Sequence, residues 1–207
     1  MEVYLVRHGR TDGNVARRHQ HVLTKLNAEG IKTAKRAAEV VAKLKPTKII
    51  CSTNMRAVQS ATYIAEATDI IPETYPPFEE LHQPASLVGE RMVGFKALSY
   101  MIAWFLGYKK ASMHDGETYG AFVERLSQAR QYLETLPEDE IVVIVSHSVF
   151  INFFTEHMVR PNKMNFFRAG VLFFRILTLH NSSVTHVRYT KPTTIQLARQ
   201  KTGWHRV

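Results

Sequence analysis

The chain reads as an α/β protein, a three-layer α/β/α sandwich with a mainly parallel sheet and a small helical cap insert. Three short apolar runs, Met1–Val6, Thr47–Cys51 and Glu140–Val145, have the length and composition of buried strands. Amphipathic stretches of helical spacing separate them, and that alternation covers a parallel sheet on both faces. No linker rich in Pro, Gly or Ser, no repeat and no low-complexity tract divides the 207 residues. The expectation is therefore a single domain over residues 1–207, with a cap insert at about 90–113.

The elements follow in order. After the first strand, Asn27 is placed to cap a helix over about residues 28 to 44, whose stripe is Ile31, Ala34, Ala38, Val41 and Leu44 and which stops before Pro46. A second helix starts near Met55 and turns Ala57, Ala61, Ile64 and Ala65 to the sheet. A third runs from about Tyr119 to Leu136 on Phe122, Leu126, Ala129, Leu133 and Leu136, and Pro137 ends it. Another covers about Val149 to Met158. Val171–Leu179 and Val184–Tyr189 are expected as late strands joined at Asn181-Ser182-Ser183. In the insert, Phe95, Leu98, Met101, Ile102, Phe105 and Leu106 recur as one helix face, with Tyr100 and Trp104 on a second. That apolar run is too short to span a membrane; it reads as a helix packed on the body or on a second copy.

Composition narrows the classes. The formal charge of +9 fits steering of anionic substrates or a basic solvated surface. No recognition module or platform of alternating basic and aromatic residues accompanies it, so nucleic acid is not an expected partner. The single cysteine, Cys51, ends an apolar run and excludes an intrachain disulfide or a cysteine metal site. The sequence opens on a strand with no signal-peptide pattern, and cytoplasm is the expected location.

The chemistry lies where the apolar runs stop. The first delivers Arg7-His8-Gly9, with Thr11 and Asn14 behind; the second opens into Ser52-Thr53-Asn54-Met55-Arg56; the third ends in Ser146-His147-Ser148. Ligands of open α/β sheets sit at the carboxyl ends of the strands. Parallel strands would gather Arg7, His8, Arg56 and His147 into one anion-binding pocket. His19-x-His21 has no carboxylate or cysteine at ligand spacing, so a solvated basic loop is expected there and not a metal site.

These residues resemble the signatures of the histidine phosphatase, or phosphoglycerate-mutase-like, family. Arg7, His8, Gly9, Thr11 and Asn14 match its N-terminal signature, and Ser52, Arg56, Ala57, Gln59, Ser60 and Ala61 its second element. Ser146 and His147 match its Ser-His-Gly strand end, Gly116-Glu117-Thr118 its Gly-Glu-(Ser/Thr) element, and Leu26 to Gly30 the entry to its first long helix. The matches run in family order over about residues 2 to 155, and for the apolar insert between them the resemblance implies equally a substrate-selecting lid. Ser148 departs from the pattern, standing where the family usually has glycine; it adds a side chain near the pocket floor that narrows the site or adds a hydrogen bond.

The resemblance implies that His8 becomes a phosphohistidine which water then cleaves. Arg7 and Arg56 suit the non-bridging oxygens, since a planar guanidinium holds two at once. His147, as an imidazolium beside the dianion, adds a further donor. These groups supply the positive charge, so neither a metal nor another cofactor is expected. The family places its acid in a Leu-x-Glu-like stretch; alignment with Phe78-Glu79-Glu80-Leu81 selects Glu80, with Glu117 as runner-up or as an orienting group. Asn14, Thr11, Ser148 and Glu117 are the candidate substrate-binding residues, and His82 and His114 reach for the pocket mouth. The expected function is phosphomonoester hydrolysis of a small-molecule phosphate ester or a phosphoprotein, with no membrane partner. Mutase-type phosphoryl transfer is the alternative, and Glu80-Leu81-His82-Gln83-Pro84 differs from the mutase stretch at that place. A non-catalytic anion-binding module is the second alternative.

Overall fold

The computed structural model describes residues 1–108, 115–159, 171, 172, 174–176 and 178–188. Its strands are β1 (Glu2–Arg7), β2 (Lys48–Cys51), β3 (Glu73–Thr74), β4 (Ile141–Ser146) and β5 (Val184–Arg188). Its helices are α1 (Asp12–Val15), α2 (Ala28–Ala42), α3 (Met55–Thr68), α4 (Phe95–Phe105), α5 (Tyr119–Thr135) and α6 (Ser148–Val159), with 3₁₀ turns at Pro76–Phe78 and Ala85–Leu87.

The five strands form one sheet in the order β3-β2-β4-β1-β5. β1 and β2 both run parallel to β4, β3 runs parallel to β2, and β5 pairs antiparallel with β1 at the edge. The period-two alternation of strand side chains sorts the core into two halves. Val3, Leu5, Val142 and Ile144 meet Phe122, Leu126, Phe150 and Phe154 of α5 and α6 on one face. Val6, Val143 and Val145 meet Ala38, Val41, Ala57, Ala61 and Ile64 of α2 and α3 on the other. This is the three-layer sandwich with a mainly parallel sheet that the apolar runs imply. Cys51 is buried, and burial pushes its thiol up to about 11.

Register fixes the functional edge. Arg7 lies opposite Ser146, and Cys51 opposite Val145, so three strand ends finish level with one another. Helix starts then secure the following loops: Asn27 Oδ1 accepts from Gly30 N at 2.8 Å as the cap of α2. The loop after β1 packs directly on that first turn. A Cβ added at Gly30 would fall 1.9 Å from the Arg10 carbonyl oxygen, and one at Gly9 would fall 2.5 Å from the Gly30 oxygen.

Two elements differ from their sequence readings. The described residues between 171 and 178 are helical, not a strand. Leu172 and Leu179 are buried while Val171 and Phe174 are exposed, a separation of seven that suits a helix; a short, mostly apolar run broken only by Arg175 and Thr178 does not distinguish the two structures by periodicity. In α4 the inward face is Ala97, Tyr100 and Trp104, with Trp104 against Phe122, Phe153 and Tyr119. Of the expected stripe, Met101 and Phe105 pack partly buried against the core, whereas Phe95, Leu98, Ile102 and Leu106 are exposed. The aromatic pair fills the deeper gap beside α5 and α6. The insert's residues 109–113, His114 and Tyr189 lie outside the described residues.

Candidate active site

The level strand ends place His8, Arg56 and His147 together in the interior, all but excluded from solvent. The His8 and His147 rings lie 5.0 Å apart, centroid to centroid. His8 Nδ1 is 2.7 Å from the Gly9 carbonyl oxygen. A carbonyl only accepts, so Nδ1 carries the proton and Nε2 keeps its lone pair. Burial lowers the basicity of His8 far below the ordinary imidazole value, and the charges of Arg56 and Arg7 lower it further. The ring is neutral at neutral pH, the state a nitrogen nucleophile requires.

The same forces act on His147, where burial comes first and Arg56, His8, Arg7 and Arg125 follow. Without an anion, its protein environment therefore favours the neutral ring, and the imidazolium expected beside a dianion requires an anion between the arginines to oppose these cations. Its Nε2 is 2.8 Å from Ser52 Oγ, which accepts from Asn54 N, while its Nδ1 is buried without a hydrogen-bond partner among the described residues. Burial brings Arg7 down to about 10, with Arg56 acting the same way and Glu80 opposing; it remains charged at neutral pH. Arg7 donates to the Leu179 carbonyl and Arg56 to the His21 carbonyl at 3.1 Å, yet the buried Nε of each arginine has no partner among the described residues. Unsatisfied donors on two guanidiniums beside an unsatisfied imidazole nitrogen make a lining suited to a multiply charged oxyanion.

Glu80 reaches this cluster from the segment after β3. Its Oε1 accepts from Leu81 N at 3.0 Å and Phe150 N at 2.9 Å, and its Oε2 from Val149 N at 3.1 Å. The carboxylate thus caps the first turn of α6, where peptide N–H groups favour an anion, and its charge is felt by both Arg7 and Arg56. Glu79 is turned to other partners: it accepts from Thr53 and lies 2.6 Å from His82 Nε2.

The remaining candidates are dispersed around this centre. Thr11 caps α1 by accepting from Asn14 N at 3.1 Å. Asn14 Oδ1 accepts from Thr11 N and from Asn181 Nδ2 at 3.1 Å. Ser148 Oγ donates to the Ile176 carbonyl at 2.8 Å. Glu117 faces Arg125: Oε1 is 2.8 Å from Arg125 Nε, and Oε2 is 2.7 Å from a terminal nitrogen.

Sequence reasoning missed Arg125 and Asn181. Arg125 is 9% exposed and lies on the buried side of α5, between Phe122 and Leu126. A charge on an apolar stripe is the signal that would have found it. Asn181 Nδ2 lies within hydrogen-bond reach of the His8 carbonyl at 3.2 Å as well as Asn14 Oδ1. Nothing in its local sequence points across 173 residues to His8. Among the described residues, no group of three or more His, Cys, Asp or Glu is arranged to hold a metal ion, and no helix is long and apolar enough to cross a membrane.

Comparison with known proteins shows the family and the fold. The chain is 25% identical over 190 residues to the adenosylcobalamin/alpha-ribazole phosphatase of Salmonella typhimurium, covering 91% of this chain and 85% of that one. It is 32% identical over 157 residues to the probable phosphoglycerate mutase GpmB of Proteus mirabilis, covering 72% and 70%. The crystal structure of the alpha-ribazole phosphatase from Shigella flexneri shares the fold, with a TM-score of 0.76 at 20% identity over the whole of both chains. A mycobacterial glucosyl-3-phosphoglycerate phosphatase does so with a TM-score of 0.68 at 23% identity over 90% of each. The sequence model of the histidine phosphatase superfamily (branch 1) matches residues 3–200, and the chain belongs to that superfamily.

Proposed function

We propose that the protein is a metal-independent phosphomonoesterase that works through a phosphohistidine on His8. The observation that carries this reading is the neutral His8 ring, whose Nδ1–H is fixed on the Gly9 carbonyl and whose Nε2 is free to attack between two arginines. Nε2 forms a bond to phosphorus as the ester P–O bond breaks, and Glu80 gives its proton to the departing oxygen. Oε2 is the better seat for that proton, since Oε1 already accepts two N–H groups. In the second half, Glu80 takes a proton from water, the water oxygen bonds to phosphorus, and the P–N bond breaks to restore neutral His8.

Arg7, Arg56, His147 and the Asn14 amide nitrogen hold the phosphoryl oxygens, and the arriving dianion favours the charged form of His147. Thr11, Ser148 and Glu117 act as supports, because their polar atoms are engaged by Asn14, Ile176 and Arg125 respectively. The chain acts as one domain with the segment at about 90–113 as its cap, and a small phosphate ester is the substrate class. The buried lone cysteine suits the cytoplasm.

The test is hydrolysis of para-nitrophenyl phosphate in EDTA by wild type and His8→Ala, with acid-quenched protein analysed for phosphohistidine. Turnover and a trapped intermediate in wild type, both lost in the variant, are expected. Turnover that survives the substitution would overturn the assignment. A second reading, phosphoryl transfer between hydroxyls, draws on the likeness to the probable mutase of Proteus mirabilis. It would appear as isomerised phosphoglycerate in place of released phosphate.

A further inference from the structure

We infer that Arg125 is a positioning residue for proton transfer, holding the backbone that presents Glu80 and held in turn by Glu117. The inference rests on the reading of Glu80 as the acid. Arg125 donates through Nε and one terminal nitrogen to the two Glu117 oxygens, at 2.8 and 2.7 Å. Its other hydrogen bonds all go to the segment carrying the acid: the carbonyls of Pro77 at 3.2 Å, Glu79 at 2.7 Å and Glu80 at 3.2 Å. Five contacts use the five N–H donors of a guanidinium. The one carbonyl left in that stretch, Phe78, accepts from Ser146 Oγ at 2.7 Å, one residue before His147. Four successive carbonyls are thus fixed by side chains from α5 and β4, across a stretch that has no ladder partner of its own.

Glu117 completes the clamp. Its backbone N–H donates to the His82 carbonyl at 2.7 Å, and its carbonyl accepts from Trp104 Nε1 at 2.9 Å. The backbone on both sides of Glu80, at 77–80 and at 82, is therefore tied to one buried ion pair whose side chains are 11% and 7% exposed. A lysine offers three donors without the planar fork and would hold only part of this set. The geometry gives Arg125 no role on phosphate: all its donors are occupied more locally. Because its charge also reaches His147, its loss should shift the rate with every leaving group, while the steeper dependence on leaving-group acidity reports its hold on Glu80.

The test is a series of substituted phenyl phosphates of graded leaving-group acidity, assayed with the full chain as wild type, Arg125→Met, Arg125→Lys, Glu80→Gln and Arg125→Met/Glu80→Gln. The readout is the slope of log kcat/KM against leaving-group pKa. A shallow slope is expected in wild type, steepening in Glu80→Gln and in Arg125→Met until the poorest leaving group has lost about tenfold or more relative to the best. Arg125→Lys should fall between, and the double variant should be no steeper than Glu80→Gln. An unchanged slope in Glu80→Gln would sink the acid reading, and this inference with it. A steep slope in Glu80→Gln beside a wild-type slope in Arg125→Met would overturn the inference alone. Should Arg125→Met not fold, Arg125→Lys decides: a steeper slope than wild type supports the clamp, and an unchanged slope overturns it.

Discussion

The two sides of the candidate site are built on opposite principles. Around His8, the cations Arg7 and Arg56 each keep a buried Nε without a partner among the described residues, as His147 keeps its Nδ1. Around Glu80, the Arg125 fork is saturated and meets a buried carboxylate. The first side carries an electrostatic debit that a bound anion would relieve, whereas the second is complete without one. Binding power therefore resides where the protein is locally least satisfied, and geometric order where it is most satisfied.

The largest effect should come from breaking the unsatisfied side at its nucleophile. His8→Ala is expected to lower kcat by on the order of 10⁴-fold or more, as removal of a covalent catalyst does, measured with para-nitrophenyl phosphate. Arg56→Lys keeps the charge but not the planar fork, and about 2 kcal/mol of transition-state stabilisation should be lost, seen as a drop in kcat/KM. The same variant should show a smaller thermal upshift with inorganic phosphate than wild type; an equal upshift would show that Arg56 does not hold the anion.

On the satisfied side, removing one partner leaves a buried charge unpaired. Glu117→Leu should cost about 3–5 kcal/mol in urea denaturation, and Arg125→Met/Glu117→Leu should cost less than the sum of the single changes. Additive losses would mean that the pair is not coupled.

The smallest effect concerns acid. His8 and His147 have folded values well below the ordinary 6.5, so the unfolded chain binds more protons as pH falls below that figure. Their neutral burial thus destabilises the folded state progressively from about pH 6.5 downward. His147→Gln should flatten the pH dependence of urea stability in that window, and an unchanged slope would mean that His147 already titrates normally.

Much of this is legible in the sequence. β1, β2 and β4 are short, apolar and punctuated by the residues that form the site, so one sheet edge and four of its side chains follow from pattern alone. The cap Asn27 and the breakers Pro46 and Pro137 mark helix ends by local chemistry. The misread pieces depend on tertiary surroundings. The run from Val171 to Leu179 is mostly apolar, with Arg175 and Thr178 the exceptions, and only its packing shows that Leu172 and Leu179 share a buried side. In α4, two apolar faces compete, and the gap beside Phe122 and Phe153 selects the Trp104 face. The partners of Arg125 are mostly backbone carbonyls, which leave no imprint on side-chain sequence.

The loop that carries His8 is finished by residues made very late. The His8 carbonyl lies beside Asn181, Arg7 N donates to the Ser183 carbonyl, and the Arg7 guanidinium donates to the Leu179 carbonyl. β4, which supplies His147, reaches β1 from 139 residues downstream in the register Glu2 to Ile141. During synthesis the first strand must therefore wait, unpaired on both edges, until β4 has been made, and on one edge until β5 follows. The loop that carries His8 is completed only with the closing strand.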